Sequence, residues 1–228
     1  VAWPDASSLA LFLAVVAFVA GAFVAGVAAS APAGAKLLHG AVAAVAVVAW
    51  MASAMILAPW FQSPEPATRL APYLLLNLAL GVGLAASPVG RRLATLPLGA
   101  LVGVQAFRLP LEVVLHQWAD QGVVPVAMSW SGQNLDVVTG LAALALAPFA
   151  GRSRAAVWAF QALGLGLLAN IARIVAQHTV GSPLYAPTGG PPLELVLYTP
   201  TTWIVSVCVL GAFVAHGVTL RALVTRQR

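Results

Sequence analysis

Charge is what this sequence has least of. Only 7% of its 228 residues are Asp, Glu, Lys or Arg, and 61% are hydrophobic; soluble domains carry about 25% charged residues. Mean hydropathy is +0.95. A soluble fold of this length cannot hide so much apolar surface, so the solvent for most of the chain is lipid. Cysteine is nearly missing too. Cys208 stands alone in an apolar run, which excludes an internal disulfide and a thiolate metal cluster. Catalytic templates are missing: there is no His-Glu-x-x-His, no Gly-Lys-Ser/Thr phosphate loop and no Gly-x-Ser-x-Gly. Paired-aspartate intramembrane proteolysis lacks a second aspartate within a span. No internal repeat is visible, and no segment is long enough for a soluble domain. The opening Val1-Ala-Trp-Pro-Asp5 places no basic region before the first apolar run, which argues against a cleaved signal peptide.

What is present is a series of apolar segments, at about 8–30, 37–59, 70–87, 94–119, 135–150, 155–178 and 196–220. They predict an all-α integral membrane protein with seven transmembrane helices. The fifth is short: a helix from Leu135 to Ala150 covers roughly 24 Å, less than the ~30 Å hydrocarbon core. The apolar Val123–Trp130 before it is expected to complete that crossing as non-helical backbone, which needs protein or a wet cavity around it. An excess of basic residues, formally +5, would suggest nucleic acid in a soluble protein. Here they sit in short loops, so no nucleic-acid partner is expected. Lys36, Arg91, Arg92, Arg152, Arg154, Arg221, Arg226 and Arg228 fall on one side of the expected topology and only Arg69 in a loop on the other. The positive-inside bias then puts the C-terminus in the cytoplasm and the N-terminus outside, as expected of an inner-membrane protein. Trp3, Trp60, Trp118, Trp130 and Trp158 read as aromatic-belt anchors. Gly164 with Gly166, and Gly21 with Gly26, read as close-packing faces.

Against this background a few polar side chains stand out. Arg108, Glu112 and His116 recur at i, i+4 and i+8 in the fourth segment and share one helix face. Pro110 beside them is expected to kink the helix. Asn170, Arg173 and Gln177 share a face in the sixth segment, and Asn134 and Asp136 open the fifth. A charge at the bilayer centre costs roughly 2.5–3.5 kcal/mol, so such residues face protein or a water-filled cavity. The topology predicts one outward-facing site of similar depth, formed by Arg108, Glu112, His116, Asn134, Asp136, Asn170, Arg173 and Gln177. Two long outer connections, about 120–134 and 179–195, would roof it. Its ligand would be a small polar or amphiphilic molecule, for transport or sensing. The same residues suit an enzyme acting on a lipid-linked substrate, with Glu112 or His116 as acid or base. A purely structural alternative pairs Arg108 with Glu112 and Arg173 with Asp136 as buried ion pairs, with Asn134 an N-cap, in a non-catalytic assembly subunit. His39, His116, His178 and His216 lie on four segments near membrane edges, so neither a haem nor another cofactor or metal is expected.

The stretch Phe107-Arg-Leu-Pro-Leu-Glu-Val-Val-Leu115, followed by Met128-Ser-Trp-Ser-Gly-Gln-Asn-Leu-Asp136, resembles an uncharacterised family of small multi-pass bacterial membrane proteins. Its pattern is Arg-x-x-x-Glu, then Pro-x-x-Met-x-x-x-Gly-x-Asn-x-Asp. Arg108, Glu112, Pro125, Met128, Gly132, Asn134 and Asp136 match, and Leu195-Val-Leu-Tyr-Thr-Pro200 with Ala215-His216 is similar to its final span. Ser131 and Gln133 depart from it, where the family has Glu and Arg. The resemblance implies that the Arg108/Glu112 stripe and the Asn134/Asp136 turn act as one unit. It implies no particular activity.

Overall fold

The computed structural model describes residues 2–62, 66–188 and 190–225; Arg226 and Arg228, used above for orientation, lie outside them. Among the described residues the regular structure is helical, with no strand. The helices are α1 (Ala6–Ala29), α2 (Lys36–Phe61), α3 (Ala67–Ala86), α4 (Pro88–Leu93), α5 (Leu98–Gly103), α6 (Arg108–Asp120), α7 (Val137–Leu146), α8 (Arg154–His178) and α9 (Leu210–Thr225). Six helical stretches are long and apolar enough to cross a membrane: Ala6–Ala29, Ala33–Phe61, Ala67–Ala86, Leu98–Asp120, Arg154–His178 and Ile204–Thr225. The fifth expected span appears as a shorter apolar helix, Val137–Phe149. Leu37, Val42, Val45, Val48 and Ile56 of α2 point outward. A contiguous apolar face of this kind is stable in lipid rather than in water.

Several helix ends have an identifiable cause. Asp5 caps α1, its carboxylate accepting from the Ser8 N–H at 2.8 Å. The Ser7 hydroxyl, then the Ser8 N–H, hold that carboxyl below its ordinary range. Gln121 Nε2 donates to the same carboxylate at 2.5 Å, tying the start of α1 to the end of α6. At the opposite end Arg221 Nη1 donates to the carbonyls of Ala85, Ala86 and Ser87 at 2.7, 2.8 and 3.1 Å. A cation on the last carbonyls of α3 satisfies orphan acceptors and opposes the negative end of the helix dipole. Arg154 donates to the Leu223 carbonyl in the same way.

The fourth span is not one uniform helix. Val104–Phe107 tightens into a 3₁₀ turn between α5 and α6. Pro110, third in α6, has no N–H to give the Ala106 carbonyl, which fits the irregularity expected beside Arg108. The last span has its own irregularity, a π-helical stretch at Ile204–Val209. There the Ser206 carbonyl accepts from Trp50 Nε1 at 2.8 Å, so α2 is hydrogen-bonded to α9's lead-in.

Two apolar clusters fill the bundle. One gathers Phe12, Phe61, Tyr73, Phe107, Leu111, Trp118 and the loop residues Val123, Val124, Leu193 and Leu195. The other gathers Val27, Leu93, Leu101, Val102, Val157, Phe160, Val218 and Leu223. The fourth span passes from the second cluster to the first, and Arg108 falls just after the junction. Trp118 is a correction to the belt: it is fully buried, packs on Phe12 with ring centroids 5.3 Å apart and donates to Ser8 Oγ at 3.0 Å. Trp3, Trp60 and Trp158 remain exposed.

The helices α3 and α9 approach closely through small residues. A Cβ on Gly217 would come within 2.6 Å of Ala85 Cβ, and one on Gly81 within 2.9 Å of Phe213 Cβ, whereas Gly83 faces open space. Gly21 and Gly166 also face open space, so of the expected glycine faces only Gly26 and Gly164 meet a neighbour. Gly217→Leu is therefore expected to destabilise the fold by about 2 kcal/mol through overpacking, and Gly83→Ala to leave it unchanged or slightly more stable. Equilibrium unfolding in mixed detergent micelles measures both.

Candidate functional site

The site is built by the segment between α6 and α7. At Gly122, with φ of 67°, the chain takes a left-handed turn that suits glycine. The N–H groups of Val123 and Val124 both return to the Trp118 carbonyl, at 2.8 and 3.3 Å. Val123, Val124, Ala127 and Met128 are then buried in the first apolar cluster, and their burial draws the segment into the bundle. The chain folds back so tightly at Gly132 that a Cβ there would lie 2.3 Å from the Val126 carbonyl oxygen. This return delivers Asn134 and Asp136 to the inward face of α6.

Four residues then lock together. Asn134 Nδ2 donates to both carboxylate oxygens of Glu112, at 2.8 and 3.0 Å, and to the Met128 carbonyl at 3.1 Å. Its Oδ1 accepts the Asp136 N–H at 3.1 Å. Arg108 Nη1 donates to Asp136 Oδ1 at 2.7 Å and to the Gly164 carbonyl of α8 at 3.5 Å. The approach of α7 that makes this possible rests on Gly140, where a Cβ would fall 2.5 Å from the Leu109 backbone nitrogen. Arg108 and Glu112 are each 1% exposed, Asn134 1% and Asp136 3%. The cluster is thus buried away from bulk water and from lipid.

A second group lies nearer the α8 end and is open. Arg173 is exposed and is held by neutral amides. Its Nε and Nη2 donate to Asn170 Oδ1 at 3.1 and 2.8 Å, Nη1 to Gln177 Oε1 at 2.7 Å, and Nη2 also to Gln133 Oε1 at 2.8 Å. Asn170 Nδ2 donates to the Gln133 carbonyl at 2.8 Å. Gln133 therefore bridges the open group to Asn134 and the sealed one. His116, half-buried, stacks on Trp130 with centroids 4.1 Å apart, lies 3.7 Å from Asp120 and 3.4 Å from Ser131 Oγ. His178 is buried, its Nδ1 on the Ile174 carbonyl at 2.9 Å and its Nε2 accepting the Thr188 N–H at 3.3 Å, so it pins the 179–195 connection.

The expected residues thus fall into two groups, not one cavity. Arg108, Glu112, Asn134 and Asp136 come together; Asn170, Arg173 and Gln177 come together with Gln133; His116 sits apart on Trp130. The depths differ as well. Nine residues separate Gly164, at Arg108, from Arg173, or roughly 13 Å along α8. The expected ion pairs also change partners. Asp136 takes Arg108, Glu112 takes Asn134, and Arg173 is bonded to amides. Asn134 is not an N-cap: Asp136 holds that position of α7, without a side-chain capping bond and with its backbone already helical at φ −68° and ψ −16°.

Sequence reasoning missed Gln133, Gln161 and His216. His216 is 1% exposed, not interfacial. Its Nδ1 lies 2.7 Å from Gln161 Oε1, while Gln161 Nε2 donates to the His216 carbonyl at 2.8 Å. Gln161, an amide in the apolar first half of α8, was the signal available for this pair. Against family models, curated proteins and solved structures the chain finds no match.

Removing one member of a buried pair strands the other. Arg108→Met or Asp136→Leu alone is expected to cost about 3–5 kcal/mol, and the double replacement markedly less than the sum. Arg173→Gln is expected to show no coupling to Asp136→Leu. Double-mutant cycles on detergent-unfolding free energies distinguish the two pairings.

Proposed function

We propose that this is a multi-pass protein of a bacterial inner membrane, N-terminus outside and C-terminus cytoplasmic, whose outer edge binds the anionic head of a small amphiphile for transport or sensing. The additional crossing, fifth in chain order, is Val137–Phe149 completed by the largely buried stretch 123–130. This reading also takes the Arg108/Glu112 stripe and the Asn134/Asp136 turn as the shared unit of the uncharacterised family that they resemble.

The observation that carries the proposal is the state of Arg173. Its guanidinium is exposed, yet held in place by oxygens of Asn170, Gln177 and Gln133, all of them neutral. Neutral acceptors orient the group without cancelling its charge. A guanidinium held in this way is suited to a phosphate or carboxylate. Because Gln133 precedes Asn134, a ligand that pulls on Arg173 acts on the same loop that closes over Glu112. The sealed Arg108–Asp136 pair favours a second reading, a non-catalytic assembly subunit in which the buried ions fix helix packing. Burial of Glu112 lends the lipid-linked enzyme reading less support.

The amphiphile reading predicts that dihexanoyl phosphatidic acid raises the melting temperature of the purified chain. A stabilisation of about 2.7 kcal/mol is expected at one hundred times the dissociation constant. Arg173→Gln abolishes the shift while changing basal stability by less than about 0.5 kcal/mol; Arg69→Gln keeps it. An equal shift in Arg173→Gln refutes the site. Orientation is tested separately. Ser7→Cys reacts with an impermeant maleimide in intact cells, Thr225→Cys only after permeabilisation, and buried Cys208 in neither case.

A further inference from the structure

The sealed cluster has a charge and hydrogen-bond inventory that does not close. Arg108 contributes one positive charge, and Glu112 and Asp136 contribute two negative ones, leaving one uncompensated negative charge among groups 1–3% exposed. Burying such a charge without a partner is costly, and taking up one proton removes the imbalance. The hydrogen bonds show a matching gap. Arg108 Nε and Nη2 and His216 Nε2 are buried without a partner. The two arginine nitrogens can only donate. At His216 the tautomer follows from its neighbour. Gln161 gives its amide hydrogen to the His216 carbonyl, so its oxygen accepts from Nδ1–H. Nε2 of the neutral ring is then a bare acceptor.

The two side chains that carry these unpaired atoms both come to Gly164. The His216 ring lies against Gly164, where a Cβ would be 2.4 Å from Cε1 and 2.6 Å from Nε2, and Arg108 Nη1 reaches the Gly164 carbonyl at 3.5 Å. Direct pairing across such a gap is replaced in proteins by water with two to four polar partners. The charged and titratable groups facing this centre are Arg108 and Glu112 from α6, Asp136 from the start of α7 and His216 from α9, with the buried, unpartnered Thr139 hydroxyl of α7 beside them. From α8 come only the uncharged Gln161 side chain and the Gly164 carbonyl.

We propose that Arg108, Glu112, Asp136 and His216 form one buried proton-binding site, holding a single exchangeable proton that passes between the carboxyl pair and His216 Nε2 through water at the Gly164 carbonyl. In the transfer a carboxyl O–H bond breaks and the Nε2–H bond forms. The acid becomes a carboxylate and the imidazole an imidazolium, and the total charge of the cluster is unchanged. The proposal does not rest on an amphiphile at Arg173; it makes the core of the bundle a proton store at mid-span.

The test uses the full wild-type chain in lipid nanodiscs, so it does not depend on a variant folding. Infrared spectra at neutral pH are expected to show a protonated-carboxyl C=O band, or nitrogen-labelled histidine NMR an imidazolium, since the proton rests at one end or the other. The solvated carboxyls are ionised at that pH. The band or signal is expected to shift within minutes in D2O. Glu112→Gln and Asp136→Asn assign a carboxyl band; His216→Gln assigns the ring signal and traps the proton on the carboxyl pair. Neither a protonated carboxyl nor an imidazolium at neutral pH overturns the proposal. So does a proton on this cluster that fails to exchange over hours in folded protein, because the site is then sealed and conducts nothing.

Discussion

A guanidinium in the middle of an apolar bundle has to be answered, and the answer organises this protein. Arg108 cannot be deprotonated and cannot reach water, so a carboxylate must come to it. Asp136 does so at 2.7 Å, and to do so it must leave the α6–α7 connection folded inside the bundle rather than over it. The buried Val123, Val124 and Met128 supply the apolar burial that offsets this intrusion. Asn134, with Glu112 on one side and the Asp136 N–H on the other, settles the loop's own polar groups. The short α7 is a consequence: part of its span's length is spent on that loop.

The outer end differs because water is within reach. Arg173 can stay charged beside neutral amides, since solvent screens what its partners do not. Two arginines, both inside apolar segments, thus live under different physics. One is fixed by a counter-ion in a buried core. The other is steered by amide oxygens and remains available. Gln133 and Asn134, adjacent in sequence, join the two regimes and give the outer surface a mechanical hold on the inner cluster.

The last span is the other half of the polar core. Its π-helical stretch, with the Ser206 carbonyl taken up by Trp50, sets the rotation of the helix that follows. That helix presents His216 to Gly164 and Gln161, while its small residues press on α3. A larger residue at 164 would occupy the place of the imidazole ring.

Composition and hydropathy were enough to establish a lipid solvent and helical segments. The inward face of α6 was equally legible, because Arg108 and Glu112 repeat at one helical turn and neither is tolerated by hydrocarbon. The close relation of that stripe to Asn134 and Asp136 was readable as well. Partner choice was not. Helical periodicity says which way a side chain points on its own helix, but not which of two carboxylates, Glu112 or Asp136, a guanidinium meets. That depends on how far a loop sinks and how close two helices come, here through Gly132 and Gly140. Nor did the polarity of Arg173 reveal that it stays exposed, or an edge-like position in the sequence reveal that Trp118 and His216 are buried. Burial is a property of neighbours distant along the chain, such as Phe12 and Ser8 for Trp118 and Gln161 for His216, and only their assembly decides it.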